Sequence, residues 1–394
     1  MSLYEQTFQI RGRELLPVVQ GGMGIGISAG GLAGTVAKTV EEKKGAVGTI
    51  ASVALGHLDY ARAGYRARNR DSSTIAMMDL TALDREIKMA REICGSEGFL
   101  AVNVMNAITG WQDHVRQACE SGANAIVMGA GLPIDLPKHT ASHPEVALIP
   151  ILSEARAVEI ILKRWMNRYK RLPDAIVIEH PGYAGGHLGA TNLSAVMDKK
   201  FNFPVVLPEI FQVFRELKIK DDEIPIICAG GINSPDKIRA VMALGARAVQ
   251  IGTAFAVTEE GDAHHDFKTV LLNARPEDIA VFRSTAGLPA RAVMTPWLRK
   301  YLEREPFIRG KNLTTGGACV LDVQCLKSCG LATDILSMNQ GRFCILGRLI
   351  DAVLGRIETG LFFTGSGPIP FKRIVPVREL LEYLLEMPKA TAQK

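Results

Sequence analysis

Eight short runs of apolar, mostly β-branched residues recur along the chain, at residues 15–20, 46–50, 100–104, 125–128, 147–152, 174–178, 224–228 and 248–251. Helical spacing fills the intervals between most of them. Strands this apolar on both faces belong in a parallel sheet covered by helices. Eight such units in succession predict a closed (β/α)₈ barrel rather than an open sheet. Helices are expected after Ser28, over residues 79–94 and 111–121, and from Ser153 to about residue 169, with Ser28 and Ser153 as caps. The loop after the second run holds His57 and an arginine-rich piece at 62–70.

Beyond residue 255 the alternation stops. Residues 259–274 read as a helix, 281–292 as irregular and 296–305 as helical. The expected division is a barrel over residues 1–305 and a C-terminal, mostly helical extension over 306–394 that packs on the barrel or forms a lid. Cys319, Cys325, Cys329 and Cys344 fall within 26 residues of that extension. Their spacing, C-x₅-C-x₃-C-x₁₄-C, matches no standard zinc or ferredoxin pattern, so no metal site is assigned to them.

At 47% hydrophobic and 22% charged, the 394 residues have the balance of a globular, enzyme-like chain. No apolar run reaches the roughly 18 residues that span a membrane. The N-terminus lacks the basic and apolar regions of a signal peptide, which points to the cytoplasm. The net charge of +5 is spread thinly, without the basic stripe of a nucleic-acid binder. The basic run at 163–171 reads as the solvated face of a helix. An odd number of cysteines, seven, argues against a disulfide framework.

The sixth run leads into Glu179-His180-Pro181-Gly182-Tyr183-Ala184-Gly185-Gly186-His187-Leu188-Gly189. A strand, then glycines, then a titratable side chain is how a site is built at the C-terminal mouth of a parallel barrel. Gly185 and Gly186 would let the backbone approach a flat ligand, with His187 at the tip. The plain alternative is a glycine-rich loop with a surface histidine. His180 is a second candidate, whereas His264-His265 reads as a surface pair.

Two more glycine turns follow the last two strands, Ala229-Gly230-Gly231-Ile232 and Gln250-Ile251-Gly252-Thr253. A barrel commonly holds phosphate there, on backbone N–H groups and a helix N-terminus. Gly21, Gly22 and Met23 after the first strand, and Asn103 on the third, would suit the face and edge of a planar heterocycle. Together these fit a flavin whose phosphate is gripped after strands seven and eight. A sugar phosphate fits the grip equally well but does not call for the glycines after strand one.

The motifs Gln20-Gly21-Gly22-Met23-Gly24, residues 129–133, Ala184-Gly185-Gly186-His187-Leu188-Gly189, Ala229-Gly230-Gly231-Ile232 and residues 244–253 resemble those of nitronate monooxygenases, formerly called 2-nitropropane dioxygenases. They resemble equally the related FMN-dependent enoyl-acyl-carrier-protein reductases. The resemblance runs from about residue 15 to 295 and implies a TIM barrel binding FMN. It implies that Gly22, Met23 and Asn103 lie near the isoalloxazine and that Gly185 and Gly186 approach it. Gly230, Gly231, Gly252 and Thr253 would then hold the phosphate, with His187 as catalytic base, and Gly21 and Gln250 are expected among the cofactor-binding residues. One departure is clear. The family usually has Gly-x-Glu-Ala before Gly-Gly-His, and here the residues are Gly182-Tyr183-Ala184, with Glu179 further upstream. The expected activity is oxidation of alkyl nitronates or nitroalkanes with O₂. The alternatives are an NAD(P)H-dependent enoyl-thioester reductase and a flavin-binding subunit without turnover. The expected partners are small molecules, and a homodimer is compatible with this reading.

Overall fold

The computed structural model of the chain describes residues 2–38, 44–64, 72–284, 288–309, 325–327 and 343–387. A hairpin comes first, β1 (Phe8–Ile10) against β2 (Arg13–Leu15). The strands β3 (Val18–Gln20), β4 (Val47–Ala51), β5 (Phe99–Met105), β6 (Ala125–Gly129), β7 (Ala147–Leu152) and β8 (Ile176–Glu179) follow. After the two-residue β9 (Gly186–His187) come β10 (Ile226–Ala229) and β11 (Ala248–Ile251). Strands β3 to β8, β10 and β11 form a closed parallel barrel. Val249, Gln250 and Ile251 close it by pairing with Val18, Val19 and Gln20.

The helices are α1 (Gly30–Ala37), α2 (Leu55–Arg62), α3 (Ser72–Cys94), α4 (Trp111–Glu120), α5 (Leu136–His139), α6 (Ala155–Tyr169), α7 (Phe203–Glu216), α8 (Pro235–Ala243) and the short α9 (Thr253–Ala256). Helix α6 shows how they dock. Val158, Ile161, Leu162 and Trp165 recur at helical spacing and are fully buried. Each such side chain stabilises the fold by roughly 1.5–3 kcal/mol. Lys163, Arg164, Arg168 and Lys170 face solvent, as expected of the basic run.

Inside the barrel, alternate strand residues such as Val19, Val47, Ala101, Val127, Ile149, Val177 and Ile227 fill the lumen. Phe8, Ile10 and Leu15 of the hairpin join this cluster and plug its N-terminal end. That hairpin is a correction to the first run, in which Leu15 and the barrel strand belong to different sheets. Pro17 lies between them and has no N–H to give to a ladder. The caps also differ from expectation. Ser28 bonds Met23, and α1 starts on carboxylates from elsewhere. Asp262 accepts from the N–H groups of Ala29 (2.8 Å) and Leu32 (3.1 Å), and Glu86 accepts from Gly30 (2.9 Å). Helix α6 takes Glu154, not Ser153, as its N-cap. His57 lies in helix α2 rather than in a loop.

After the barrel come α10 (His265–Asn273), shorter than expected, then β12 (Ile279–Arg283) and β13 (Pro289–Val293). The region expected to be irregular is thus an antiparallel pair, and β13 also pairs with β9. Last come α11 (Pro296–Arg309), α12 (Ile345–Val353) and α13 (Val377–Leu385). Leu380, Leu381, Leu384 and Leu385 of α13 sit in the same core cluster as the barrel helices. Cys319 and Cys329 lie outside the described residues. Among the described residues no group of His, Cys, Asp or Glu could hold a metal, and no helix is long and apolar enough to cross a membrane.

Candidate active site

The glycines of the first strand end fit against the strands beside them. A Cβ on Gly22 would lie 2.3 Å from Asn103 Cβ, so only glycine lets this backbone rest on that amide. A Cβ on Gly21 would lie 3.5 Å from Gln250 Cγ, and one on Gly252 would lie 3.5 Å from Met23 Sδ. The structure therefore brings Gly21, Gly22, Met23, Asn103, Gln250 and Gly252 together at the C-terminal mouth of the barrel. Gln20 holds the corner from below, accepting from the Thr49 N–H at 2.9 Å. Two polar atoms here are buried without a partner among the described residues, Thr49 Oγ1 and Gln250 Oε1.

The loop after β8 is pinned from two sides. His180 is buried; its Nδ1 accepts from the Gly182 N–H at 3.0 Å, and its Nε2 lies 3.0 Å from Asn202 Oδ1. Burial lowers its pKa, so it is a neutral brace for the turn. On the other side Arg291, only 3% exposed, donates to the carbonyls of Pro181 (3.3 Å), Gly182 (2.9 Å) and Ala184. Sequence reasoning missed Arg291, which sits in the stretch read as irregular. Its neighbour in β13, Ala290, pairs in register with His187.

His187 is thereby fixed in a short strand. Its Nε2 lies 3.0 Å from Ser284 Oγ, and the Phe363 ring meets it edge-on at 5.4 Å. Burial pushes its pKa down to about 4, so the imidazole is neutral. Its Nδ1 makes no hydrogen bond among the described residues. Upstream, Glu179 ends β8, and burial pushes its carboxyl up to about 7.

The glycine turns after β10 and β11 lie next to this loop. Gly230 and Gly231 have φ of 103° and 73°. A Cβ on Gly230 would lie 2.8 Å from the His180 carbonyl oxygen, and one on Gly231 would lie 2.8 Å from Tyr183 Cβ. Lys237 Nζ donates to the Gly231 carbonyl at 2.9 Å. The C-terminal extension completes the wall. The Gly365 N–H donates to Thr253 Oγ1 at 3.0 Å, and the Ser366 N–H donates to the Tyr183 carbonyl at 3.2 Å. A Cβ on Gly185 would lie 2.7 Å from the Thr364 carbonyl carbon. This strap, Thr364-Gly365-Ser366-Gly367, was not singled out in the sequence, although two glycines around a serine signal a tight turn.

Comparisons with known proteins bear on the fold and on the family. The solved structure of FabK from Thermotoga maritima is similar with a TM-score of 0.64 at 23% identity, covering 94% of this chain and 91% of that one. A nitroalkane oxidase from Streptomyces ansochromogenes is similar with a TM-score of 0.62 at 20% identity, covering 97% and 95%. At such identities both show the fold alone. A probable nitronate monooxygenase of Bacillus subtilis is 29% identical over 125 residues, about a third of each chain. The sequence pattern of the nitronate monooxygenase family matches residues 14–387, so it takes in the C-terminal extension as well as the barrel. The chain belongs to the nitronate monooxygenase family, a family of flavin-dependent oxidoreductases.

Proposed function

We propose that the chain is an FMN-dependent oxidoreductase that oxidises small alkyl nitronates and nitroalkanes with O₂, with His187 as the base. The observation that carries this reading is His187 itself, an enclosed and neutral imidazole with one nitrogen engaged and the other without a partner among the described residues. It stands on a loop packed against the Gly230-Gly231 turn, at a mouth with two buried polar atoms that have no partner among the described residues.

The mouth fits a flavin. Gly21, Gly22, Met23 and Asn103 would lie along the ring, with Gly185 and Gly186 approaching it from the other loop. The unpartnered Thr49 Oγ1 and Gln250 Oε1 suit a heterocycle that presents both donors and acceptors at its edge. Gly230, Gly231, Gly252 and Thr253 would hold the phosphate, with Lys237 at the rim. When bound, the flavin would supply the redox chemistry between substrate and O₂.

The chain's own residues handle the proton. In the tautomer whose Nε2–H donates to Ser284 Oγ, Nδ1 carries the lone pair. That lone pair accepts the proton from the carbon bearing the nitro group. Ser284 then shares the positive charge that develops on the ring. A substrate arriving as the anion needs no such step.

The test is O₂ uptake by the purified, yellow protein given a small alkyl nitronate without NADH or NADPH. Uptake is expected. No uptake, together with NADH oxidation that depends on an enoyl thioester, would replace this reading with the reductase one. Bound flavin with neither activity would favour a non-catalytic subunit.

A further inference from the structure

Of the eight barrel strands β8 alone ends in an ionisable side chain, Glu179, and the others end in glycine or a neutral side chain. Its direction follows from the pleat. Val177, two residues earlier, belongs to the lumen cluster, and Glu179 pairs in register with Ala229, which pairs in turn with Gln250. The carboxyl therefore faces the mouth, two strands away from Gln250, whose amide oxygen is unpartnered among the described residues. Its surface is partly open, although protein surrounds it, as for a side chain lining a recess.

No cation answers it among the described residues. Ala229 stands opposite it on β10, and on β7 Ile151 pairs with Val177, two residues below it. In the following loop His180 faces Asn202, Arg291 donates to carbonyls, and His187 meets Ser284. Enclosure by protein with no cation opposite disfavours the ionised carboxylate, whereas the neutral acid offers a hydrogen-bond donor.

We propose that Glu179 is a ligand-binding residue of the mouth, a neutral carboxylic acid that donates a hydrogen bond to an acceptor atom on the bound heterocycle. The inference rests on the flavin reading above. It adds a donor to a floor whose buried orphan at Gln250 is an acceptor. Ionisation would remove that donor and set a negative charge against the ligand's acceptor, so binding would weaken as the acid loses its proton.

The experiment is FMN binding to the flavin-depleted full chain, followed by fluorescence quenching at pH 6 and pH 8.5, for wild type and Glu179→Gln. Glutamine keeps a donor but cannot ionise, and the ligand's own phosphate titration is common to both proteins. The expected ratio of wild-type to variant Kd is near one at pH 6 and at least about tenfold at pH 8.5. The visible spectrum of bound flavin should shift with pH in wild type and not in the variant. Glu179→Ala, which lacks the donor, should bind about tenfold more weakly than wild type at pH 6. A Kd ratio that does not change with pH would overturn the role of Glu179 and leave the flavin reading intact. No FMN binding at either pH would overturn both.

Discussion

His187 owes its neutrality to burial rather than to a neighbouring charge, and that has a defined pH signature. Its folded pKa, about 4, lies below the ordinary value of 6.5. The unfolded chain therefore binds more protons between pH 6.5 and 4, and the contribution of His187 to stability falls as pH drops through that window. As a base it should stay competent down to about pH 5 and fail only below. A pH profile of kcat/KM with a neutral nitroalkane should show no loss near pH 6.5 from this group, and a limb there would refute the assignment. His187→Ala should lower the rate roughly 10² to 10⁴-fold with the nitroalkane and far less with preformed nitronate. Equal losses on both would remove the base role. Arg291 acts at the same scale through backbone. Arg291→Met would strand the Pro181 and Ala184 carbonyls and leave that of Gly182 with only Ser366 Oγ, at 3.4 Å. A loss of about 2–4 kcal/mol in stability is expected, read as a lowered denaturation midpoint. Arg291→Lys keeps the charge but not the fork and should recover only part of it.

The elements around the mouth were unequally legible in the sequence. The barrel strands announced themselves because two buried faces make a continuous apolar run, as in residues 147–152 and 248–251. The glycines of Gly21-Gly22 and Gly230-Gly231 were visible because the residue type itself marks a close approach. Strand β13 was not, because Pro289, two alanines and an arginine carry no β signal, and its pairing with β9 depends on a partner a hundred residues away. The strap at residues 364–367 was hidden for the same reason, since its contacts with Tyr183 and Thr253 are all tertiary. The structure also sharpens how the phosphate grip can be tested. Gly231 has a left-handed φ and Tyr183 against it, so any side chain there would be strained whatever its charge. Gly252 has φ of −104° and only an ordinary contact with Met23, so alanine fits. Gly252→Ala should keep FMN affinity within a few-fold, while Gly252→Asp sets a carboxylate near a dianion and should weaken it by at least several tens of fold. Equal binding by both variants would place the phosphate elsewhere.

At the scale of the molecule, the C-terminal extension and the barrel share one core. Val375, Val377 and the four leucines of α13 are buried with the barrel helices, and Phe362 stacks on Phe267 at 5.6 Å. The bridge between Thr258 and Val375 and the hydrogen bond from the Val293 N–H to the Phe362 carbonyl tie the backbones together. The extension also supplies Phe363 to His187 and the strap to Thr253, so it belongs to the site as much as to the scaffold. We propose that residues 306–394 form an extension without independent stability, and that the barrel over 1–305 depends on it. Each fully buried leucine or phenylalanine stabilises by roughly 1.5–3 kcal/mol. The four leucines and Phe362 together approach the whole stability of a typical domain, about 5–15 kcal/mol, even when the area estimate is trimmed for a compact unfolded state. The full chain should therefore melt in one cooperative calorimetric transition, with the calorimetric and van't Hoff enthalpies in agreement. A chain ending after residue 309 should lose that transition and bind the hydrophobic dye ANS, because the α1 and α8 faces that α13 covers would be bare. A truncated chain that melts cooperatively and takes up FMN with the affinity of the full chain would show the barrel to be self-sufficient, and the extension would then be an accessory rather than part of the core.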